Sequence, residues 1–491
     1  MLKSPQEEAL MKLIFELSKR GRKSFALPSL DVPEVSLEEY LGEHFRKELD
    51  FPEVSELDAV RHYTNLSKLN YSVDTNFYPL GSCSMKYNPR IAEEISRWEE
   101  FTDMHPMTPE DYAQGSLEVI YRLKELLKEL GGFSEVSLEP AAGAQGELLG
   151  LLLMRTYHTD RGKEYKRKIL IPDSAHGTNP ASAAVCGFEV ITVKSDTNGE
   201  LDWRDFSDKL KDDVAGLMIT NPNTLGIFER RIKDMAQALH EKDALLYMDG
   251  ANFNALVGIA KPGLWGVDIM HFNLHKTFGT PHGGGGPGGG AVGVSEKLVP
   301  YLPVPQVEFD GEKYFLSWDR PKSVGKMLSF YGHFSVMLKA LAYILSYGNE
   351  ISRVAKYAVL NARYLRHLLK GCLLDPYEHV PCMHEFVLSA LNLVQYDIKA
   401  IDIAKALLDR GFYAPTVYFP LIVKEALMIE PTETESVDTL RAFAKSLMEI
   451  IEEAKRDPQK VKASPEKTPV RRIKEVEANR KPVLRYAFKS S

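Results

Sequence analysis

Lys276, Asp249 and His176 each end or follow an apolar run, and a small-residue turn, Gly143-Ala144-Gln145, opens a helical one. Singly, each has an ordinary explanation: a surface lysine, a turn aspartate, a hydrogen-bonded structural histidine. Together they meet the needs of one cofactor. A pyridoxal phosphate site requires a lysine amine for the aldehyde and a carboxylate facing the pyridinium nitrogen. It also takes a flat group over the ring and backbone N–H donors for the phosphate, best supplied by a helix start. Lys276 follows VDIMHF, and Asp249 ends ALLYMD 27 residues earlier. That separation is one strand-to-strand crossover, so both side chains can project from the same sheet edge. His176, after KILIP, can stack on the ring, and Gly143–Gln145 can hold the phosphate.

Competing motifs fail on context. Gly283-x-Gly285-x-x-Gly288 and Gly284-x-Gly286-x-x-Gly289 match a dinucleotide fingerprint in form. That motif must follow a strand and open a helix, whereas Pro287 interrupts this one and the strand-like AVGVS follows it. No GxxxxGK[ST] occurs, which excludes a P-loop. His271 and His275 are four apart but straddle a strand end, HExxH is missing, and no metal site is expected.

These loops need a scaffold that brings them together. Apolar or β-branched runs at 168–172, 188–193, 214–220, 244–249, 267–272 and 291–295 read as buried strands, with helix-like stretches between several of them. This rhythm predicts an α/β fold with a mostly parallel sheet covered on both faces, and ligands bound at the strands' carboxyl ends. Before it, Pro109 to Leu130 reads as one long amphipathic helix, with Ile120, Leu123, Leu127 and Leu130 at helical spacing. After Tyr331, long helices and the run MHEFVLSA form an α+β block. The expected organisation is an N-terminal arm with a substrate-channel segment over 1–108 and a large cofactor domain over 109–330. A small C-terminal domain over 331–455 and a basic tail over 456–491 follow.

Composition narrows the class. The chain has 491 residues, 44% hydrophobic and 26% charged, and a net charge of −7. No global basic field argues for nucleic acid, and the longest apolar run, Leu148 to Met154, is far too short to span a membrane. Four cysteines (Cys83, Cys186, Cys372, Cys382) show no CxxC spacing, and the first twenty residues lack a signal-peptide core. The expectation is a soluble, reduced, cytoplasmic protein. Residues 456–491 carry +7, leaving −14 on the remainder. With scattered Val, Leu, Tyr and Phe, this tail reads as a segment lying on an acidic surface, its own or a neighbour's.

Five motifs, YPLGSCSMKYNP (78–89), the turn at 142–147, AHGTNPASA (175–183), DGANFNA (249–255) and HKTFGTPHGGGGPG (275–288), carry a family resemblance. They resemble the glycine decarboxylase component, the P-protein, of the glycine cleavage system, and they span most of the chain. Single-chain members of that family are roughly twice as long, so this chain looks like the cofactor-bearing half, subunit 2, of the split form. The resemblance implies a fold type I architecture and a pyridoxal phosphate cofactor. It also implies decarboxylation of glycine with transfer of the aminomethyl group to the lipoyl arm of a carrier, the H-protein. A separately encoded subunit 1 would complete a two-plus-two heterotetramer.

Carried over by position, Lys276 is similar to the lysine that binds the cofactor, Asp249 to the partner of the pyridine nitrogen, and His176 to the stacking group. His275 and Gly143, Ala144 and Gln145 resemble phosphate- and cofactor-contacting positions. Asn223 or Thr224, in the NPNT turn, could reach the cofactor's phenolic oxygen. Ser82, Cys83 (reduced), Lys86 and His282 are expected to shape the substrate channel, and the loop His282 to Gly290 to line the cofactor site, its own or a neighbour's. At the level of residues two other readings stay open: a different pyridoxal phosphate enzyme, such as an aminotransferase or amino-acid decarboxylase, or a catalytically silent partner subunit.

Overall fold

Each of the six apolar runs between residues 168 and 295 forms a strand, because a β-branched run flanked by short loops can satisfy its backbone only against like neighbours. In the computed structural model, which describes residues 12–47, 49, 51–283 and 288–485, they are β2 (Lys168–Pro172), β3 (Glu189–Val193), β4 (Val214–Thr220), β5 (Leu245–Gly250), β6 (Ile269–Asn273) and β7 (Gly290–Val294). A short β1 (Glu135–Ser137) completes a seven-stranded sheet of order β1-β7-β6-β5-β4-β2-β3. From β3 to β6 every pairing is parallel, while β7 runs antiparallel to both β6 and β1. Register sets the site: Thr220 pairs with Asp249, and Asp249 with His271. Partners across parallel strands share a face, so these three side chains form one row at the carboxyl end.

The helix Gly143–Asp160 lies against that row because its inward face carries glycines. A Cβ on Gly146 would come within 2.8 Å of His271 Cβ, and one on Gly150 within 2.3 Å of the Tyr247 ring. Gly143, at the first turn, would likewise meet the Asn273 amide at 2.2 Å. Residues at i, i+3 and i+7 share one helix face, so this stripe brings the backbone onto β5 and β6 and its N-terminus to the sheet edge.

The chain divides into two compact units, Met1–Ser72 and Val73–Ser491. The first holds short helices at Ile14–Leu17, Leu37–Leu41 and Glu56–Lys68, the latter two capped by Ser36 and Ser55. In the second, an antiparallel hairpin of β8 (Gln306–Phe309) and β9 (Tyr314–Ser317) precedes a smaller sheet of order β10-β12-β11. Its strands are Phe386–Ser389 (β10), Thr416–Val417 (β11) and Ala426–Ile429 (β12).

Three expected boundaries move. The predicted helix over 109–130 is a short 3-10 turn, Glu110–Tyr112, followed by a helix at Gln114–Gly131. The helix Phe334–Tyr347 packs its Val336, Met337, Leu341 and Ile344 into the core of the large sheet, whereas the C-terminal core begins with Ala362 and Leu365. The segment expected to belong to the N-terminal arm is instead knitted into the second unit from Val73 onward. Phe77 enters the C-terminal core, Leu80 bridges to Ile429, and the Gly81 amide donates to Met428 O at 3.3 Å.

The basic tail lies on its own domain: Val461 is buried in the C-terminal core, Arg472 pairs with Asp402 at 2.8 Å and Glu475 with Lys405 at 3.6 Å. Residues 486–491 of that tail lie outside the described residues. Among the described residues no helix is long and apolar enough to cross a membrane.

Candidate active site

A cavity of about 480 Å³ opens at the carboxyl ends of β2, β4, β5 and β6. Its walls bring together Lys276, Asp249, His176, Gly143, Ala144, Thr224, His275, His282, Ser82 and Cys83. Lys276 stands on a one-turn helix (Leu274–Thr277) directly after β6, and its Nζ donates to Ser82 O at 2.8 Å. Asp249 is buried; its Oδ1 accepts from the Ala251 amide at 2.8 Å and lies 3.4 Å from His271 Nε2. His271 is neutral in character, since burial lowers its pKa; it lies between the Tyr247 hydroxyl (2.6 Å) and Asn273 Oδ1 (2.9 Å). With its amide nitrogen toward the carboxylates, buried Asn179 donates to Asp249 Oδ2 at 3.3 Å and Glu147 Oε2 at 3.2 Å. The first helical amide bond of the Gly143–Asp160 helix runs from Gly146 to Ala142, so the amides of Gly143, Ala144 and Gln145 precede the ladder.

Several expected residues take other positions. The Gln145 side chain turns away from the cavity: its Oε1 accepts from the Ala141 amide at 2.6 Å and its Nε2 donates to Met327 O at 3.3 Å. Of the two candidates in the NPNT turn, Thr224 reaches the wall, its hydroxyl donating to Ser174 O at 2.5 Å. Asn223 does not. Its amide donates to Gly199 O (2.7 Å) and Glu229 Oε1 (2.9 Å), and its oxygen accepts from the Leu225 and Ile227 amides. A side chain with both ends engaged in staying buried has none left for a ligand.

Lys86, too, takes another position than expected. It is 2% exposed, absent from the cavity wall, and pairs with Glu433 at 2.7 Å while donating to Thr277 O, Asn254 Oδ1 and Tyr343 Oη. It supports the turn that carries Lys276 rather than shaping a channel.

Ser82 and Cys83 do line the cavity, on a strap whose backbone is tied to the smaller sheet. Ser82 and Ser84 both adopt positive φ (65° and 44°), a conformation that non-glycine residues hold only under restraint. The restraint is a pair of fully buried carboxylates: Glu385 accepts the Ser82 amide at 2.7 Å, and Glu430 accepts the Ser84 amide at 2.8 Å and its hydroxyl. Asn252, three residues after Asp249, also donates to Glu385 (3.1 Å), tying the strap and the loop after β5 to one group. Burial raises both carboxyl pKa values, that of Glu430 to about 7, and the neighbouring Glu430 raises Glu385 further. The Cys83 thiol is free and pushed up to about 11 by burial. His275 lies with Nδ1 3.1 Å from Gly289 O and packs edge-on against His282 at 5.0 Å. Burial, reinforced by Lys276, lowers its pKa to about 3. Gly284–Pro287, the middle of the expected glycine loop, lie outside the described residues.

Sequence reasoning missed Thr220, Glu147, Thr178, Glu385 and Glu430. Thr220 ends VAGLMIT, and its position at a strand's carboxyl end was the available signal. Its hydroxyl is buried at the cavity without a hydrogen-bond partner. The glutamates carry no local signature.

The buried acid that holds Asn223 has a consequence for stability. Glu229 is buried, accepting from the Leu201 amide at 2.9 Å, and burial pushes its pKa to about 7. A raised acid pKa means the folded chain binds the proton more tightly than the unfolded chain. Its contribution is full below about pH 4.5 and is lost as pH rises through 7. Denaturant titrations at pH 5 and pH 8 should show the wild type losing more stability between them than Glu229→Gln. The difference should be on the order of 3 kcal/mol; equal losses would refute the assignment.

Two family models match the chain: "Glycine cleavage system P-protein" over residues 32–307 and "Glycine dehydrogenase, C-terminal domain" over 354–473. A relative from Aquifex aeolicus, named "Probable glycine dehydrogenase (decarboxylating) subunit 2", is 69% identical over 477 residues, covering 97% of this chain and 99% of the relative. One of the same name from Caldanaerobacter subterraneus is 54% identical, covering 96% and 98%. Among solved structures, an inhibitor-bound glycine decarboxylase (P-protein) superposes with a TM-score of 0.71 at 21% identity, covering 84% of this chain and 95% of that one. The sphingosine-1-phosphate lyase of Burkholderia pseudomallei superposes at 0.61 with 15% identity, covering 86% and 97%.

Proposed function

Because the chain belongs to the P-protein family of the glycine cleavage system, we propose that it is the cofactor-bearing subunit of a two-chain glycine dehydrogenase (decarboxylating). Its architecture is that of fold type I pyridoxal phosphate enzymes, a mostly parallel sheet with a smaller C-terminal domain. The observation that carries the proposal is convergence. Lys276, Asp249, His176 and an open helix start, drawn from four loops, face one cavity of a size suited to a small cofactor.

The residues present fit pyridoxal phosphate. Lys276 would bond its aldehyde, Asp249 would hold the proton on the ring nitrogen, and His176 would cover one face. The amides of Gly143 to Gln145 would take the phosphate, and the unpartnered Thr220 hydroxyl offers a further polar contact. When bound, the cofactor supplies an electron sink for the pair left as the carboxylate departs. Asp249 accepts from Asn179 and the Ala251 amide and lies beside His271, whose pKa burial lowers, with the Glu147 carboxyl within 4.8 Å. Ser82 and Cys83 line the cavity beside Lys276, whose amine donates to Ser82 O at 2.8 Å.

In the reaction, glycine's C–C bond breaks and CO2 leaves. The methylene carbon bonds one sulfur of the lipoyl disulfide on the H-protein, and the other sulfur becomes a thiol. The disulfide is thus the oxidant, and no nicotinamide is called for. A separate subunit 1 completes a two-plus-two heterotetramer in the cytoplasm.

Exchange of labelled bicarbonate into glycine's carboxyl group tests this. The purified chain alone should exchange little, and addition of subunit 1 and lipoylated H-protein should raise the rate at least 100-fold. Full exchange by the chain alone, or none in the complete mixture, would overturn the proposal.

A further inference from the structure

We propose that Glu147 is a positioning residue that sets the tautomer of His176 through the hydroxyl of Thr178. The proposal deepens the reading of the cavity as a cofactor site and rests on it for its consequence, though not for its test. Glu147 lies one turn into the Gly143–Asp160 helix, on the cavity wall, and is 5% exposed. Thr178 opens the next helix, two residues beyond His176. His176 Nδ1 is 2.8 Å from Thr178 Oγ1, which is 2.9 Å from Glu147 Oε1.

The hydroxyl between them has one proton to give. When Glu147 is ionised, Thr178 donates to it, and the threonine oxygen accepts from Nδ1–H of His176 at 2.8 Å, displacing the longer bond of 3.3 Å that the Thr178 amide gives that nitrogen. The Nε2 of the ring then carries a lone pair. When Glu147 is protonated, it donates to Thr178, whose hydroxyl turns to His176 Nδ1. That nitrogen, 3.3 Å from the Thr178 amide, becomes a double acceptor, and the ring proton resides on Nε2. One proton at the carboxyl therefore exchanges donor and acceptor at the far edge of the ring.

Phe419 packs edge-on against the ring at 5.5 Å. His176 opens to the cavity, yet enclosure by its walls lowers its pKa, so the neutral ring and its tautomer are what matter.

The groups facing Glu147 come from four elements. Ser182 Oγ (3.2 Å) and Asn179 Nδ2 (3.2 Å) donate to Oε2, His271 and Asp249 lie within 4.8 Å, and the charges of Lys276 and the hydroxyl of Tyr247 act on it from further off. Burial and Asp249 raise Glu147 to about 7, against the lowering effect of Thr178, Ser182 and Lys276, which places the exchange near neutral pH.

Long-range ¹⁵N correlation spectra of the histidine-labelled full-length chain, recorded without cofactor, decide the matter, with His176→Gln identifying the resonance. From pH 6 to 8.5 the His176 signals should pass from the Nε2–H to the Nδ1–H pattern with a midpoint near 7. Glu147→Gln should hold one pattern throughout, Thr178→Ser should keep the transition, and Thr178→Val should abolish it. A wild-type ring that keeps one tautomer, or an unchanged transition in Glu147→Gln or in Thr178→Val, overturns the proposal. Because no cofactor is present, this outcome is independent of whether the cavity takes pyridoxal phosphate, which visible absorbance on adding the cofactor tests separately.

Discussion

A Lys276→Ala chain should fold as the wild type does, give no visible absorbance band on addition of pyridoxal phosphate, and lose turnover by about four orders of magnitude or more. The fold is indifferent to this amine because its hydrogen bond goes to one backbone carbonyl, Ser82 O, on the wall of an open cavity. Water can replace it there, so the structural cost is small. The chemistry has no substitute. Lys86, the other lysine of the region, is buried with its ammonium engaged by four acceptors and is absent from the cavity wall. Circular dichroism, absorbance titration and the bicarbonate exchange assay together separate the cases. A persistent absorbance band with residual turnover would show that another amine serves, and a chain that fails to fold would show that Lys276 is structural.

Lys86→Met should have the opposite profile, a large loss of stability. Its side chain and that of Glu433 are 1% and 5% exposed. Removing one partner of a buried pair leaves the other charge uncompensated, at about 3–5 kcal/mol. Glu433 would keep only the Asn254 amide (3.2 Å) and the Tyr343 hydroxyl (3.1 Å). Lys86 also donates to Thr277 O, the residue after Lys276, so cofactor affinity should fall with stability. In urea titrations the double variant Lys86→Met/Glu433→Gln should recover a substantial part of the loss, because neither charge is then stranded. A single variant within about 1 kcal/mol of the wild type would mean that the pair contributes little, as exposed pairs do.

These two lysines mark the line between what could be read along the chain and what could not. The position of Lys276 was legible because it is local: it follows a buried strand, and Asp249 ends the one a crossover earlier. Strand periodicity and loop position report burial and hydrogen bonding over a few residues, which is what a linear pattern encodes. The same signal identified the six runs of the large sheet from KILIP to AVGVS, whereas the glycine stripe of the Gly143–Asp160 helix emerged only from its packing on β5 and β6.

Lys86 was misplaced because its acceptors come from residues 254, 277, 343 and 433, and no spacing records that meeting. The strap it belongs to is small and turn-rich in sequence; only the carboxylates of Glu385 and Glu430, 303 and 346 residues away, hold Ser82 and Ser84 at positive φ. In the NPNT turn two adjacent polar residues were equivalent on paper, and the backbone path turned Thr224 into the cavity and Asn223 into the interior. Sequence by itself determined the six long strands of the large sheet and the loops that reach its carboxyl edge, since those follow from the desolvation of each segment's own backbone and side chains. Tertiary structure alone decided which buried charges find partners, because that desolvation penalty is met only by groups the fold brings in from elsewhere.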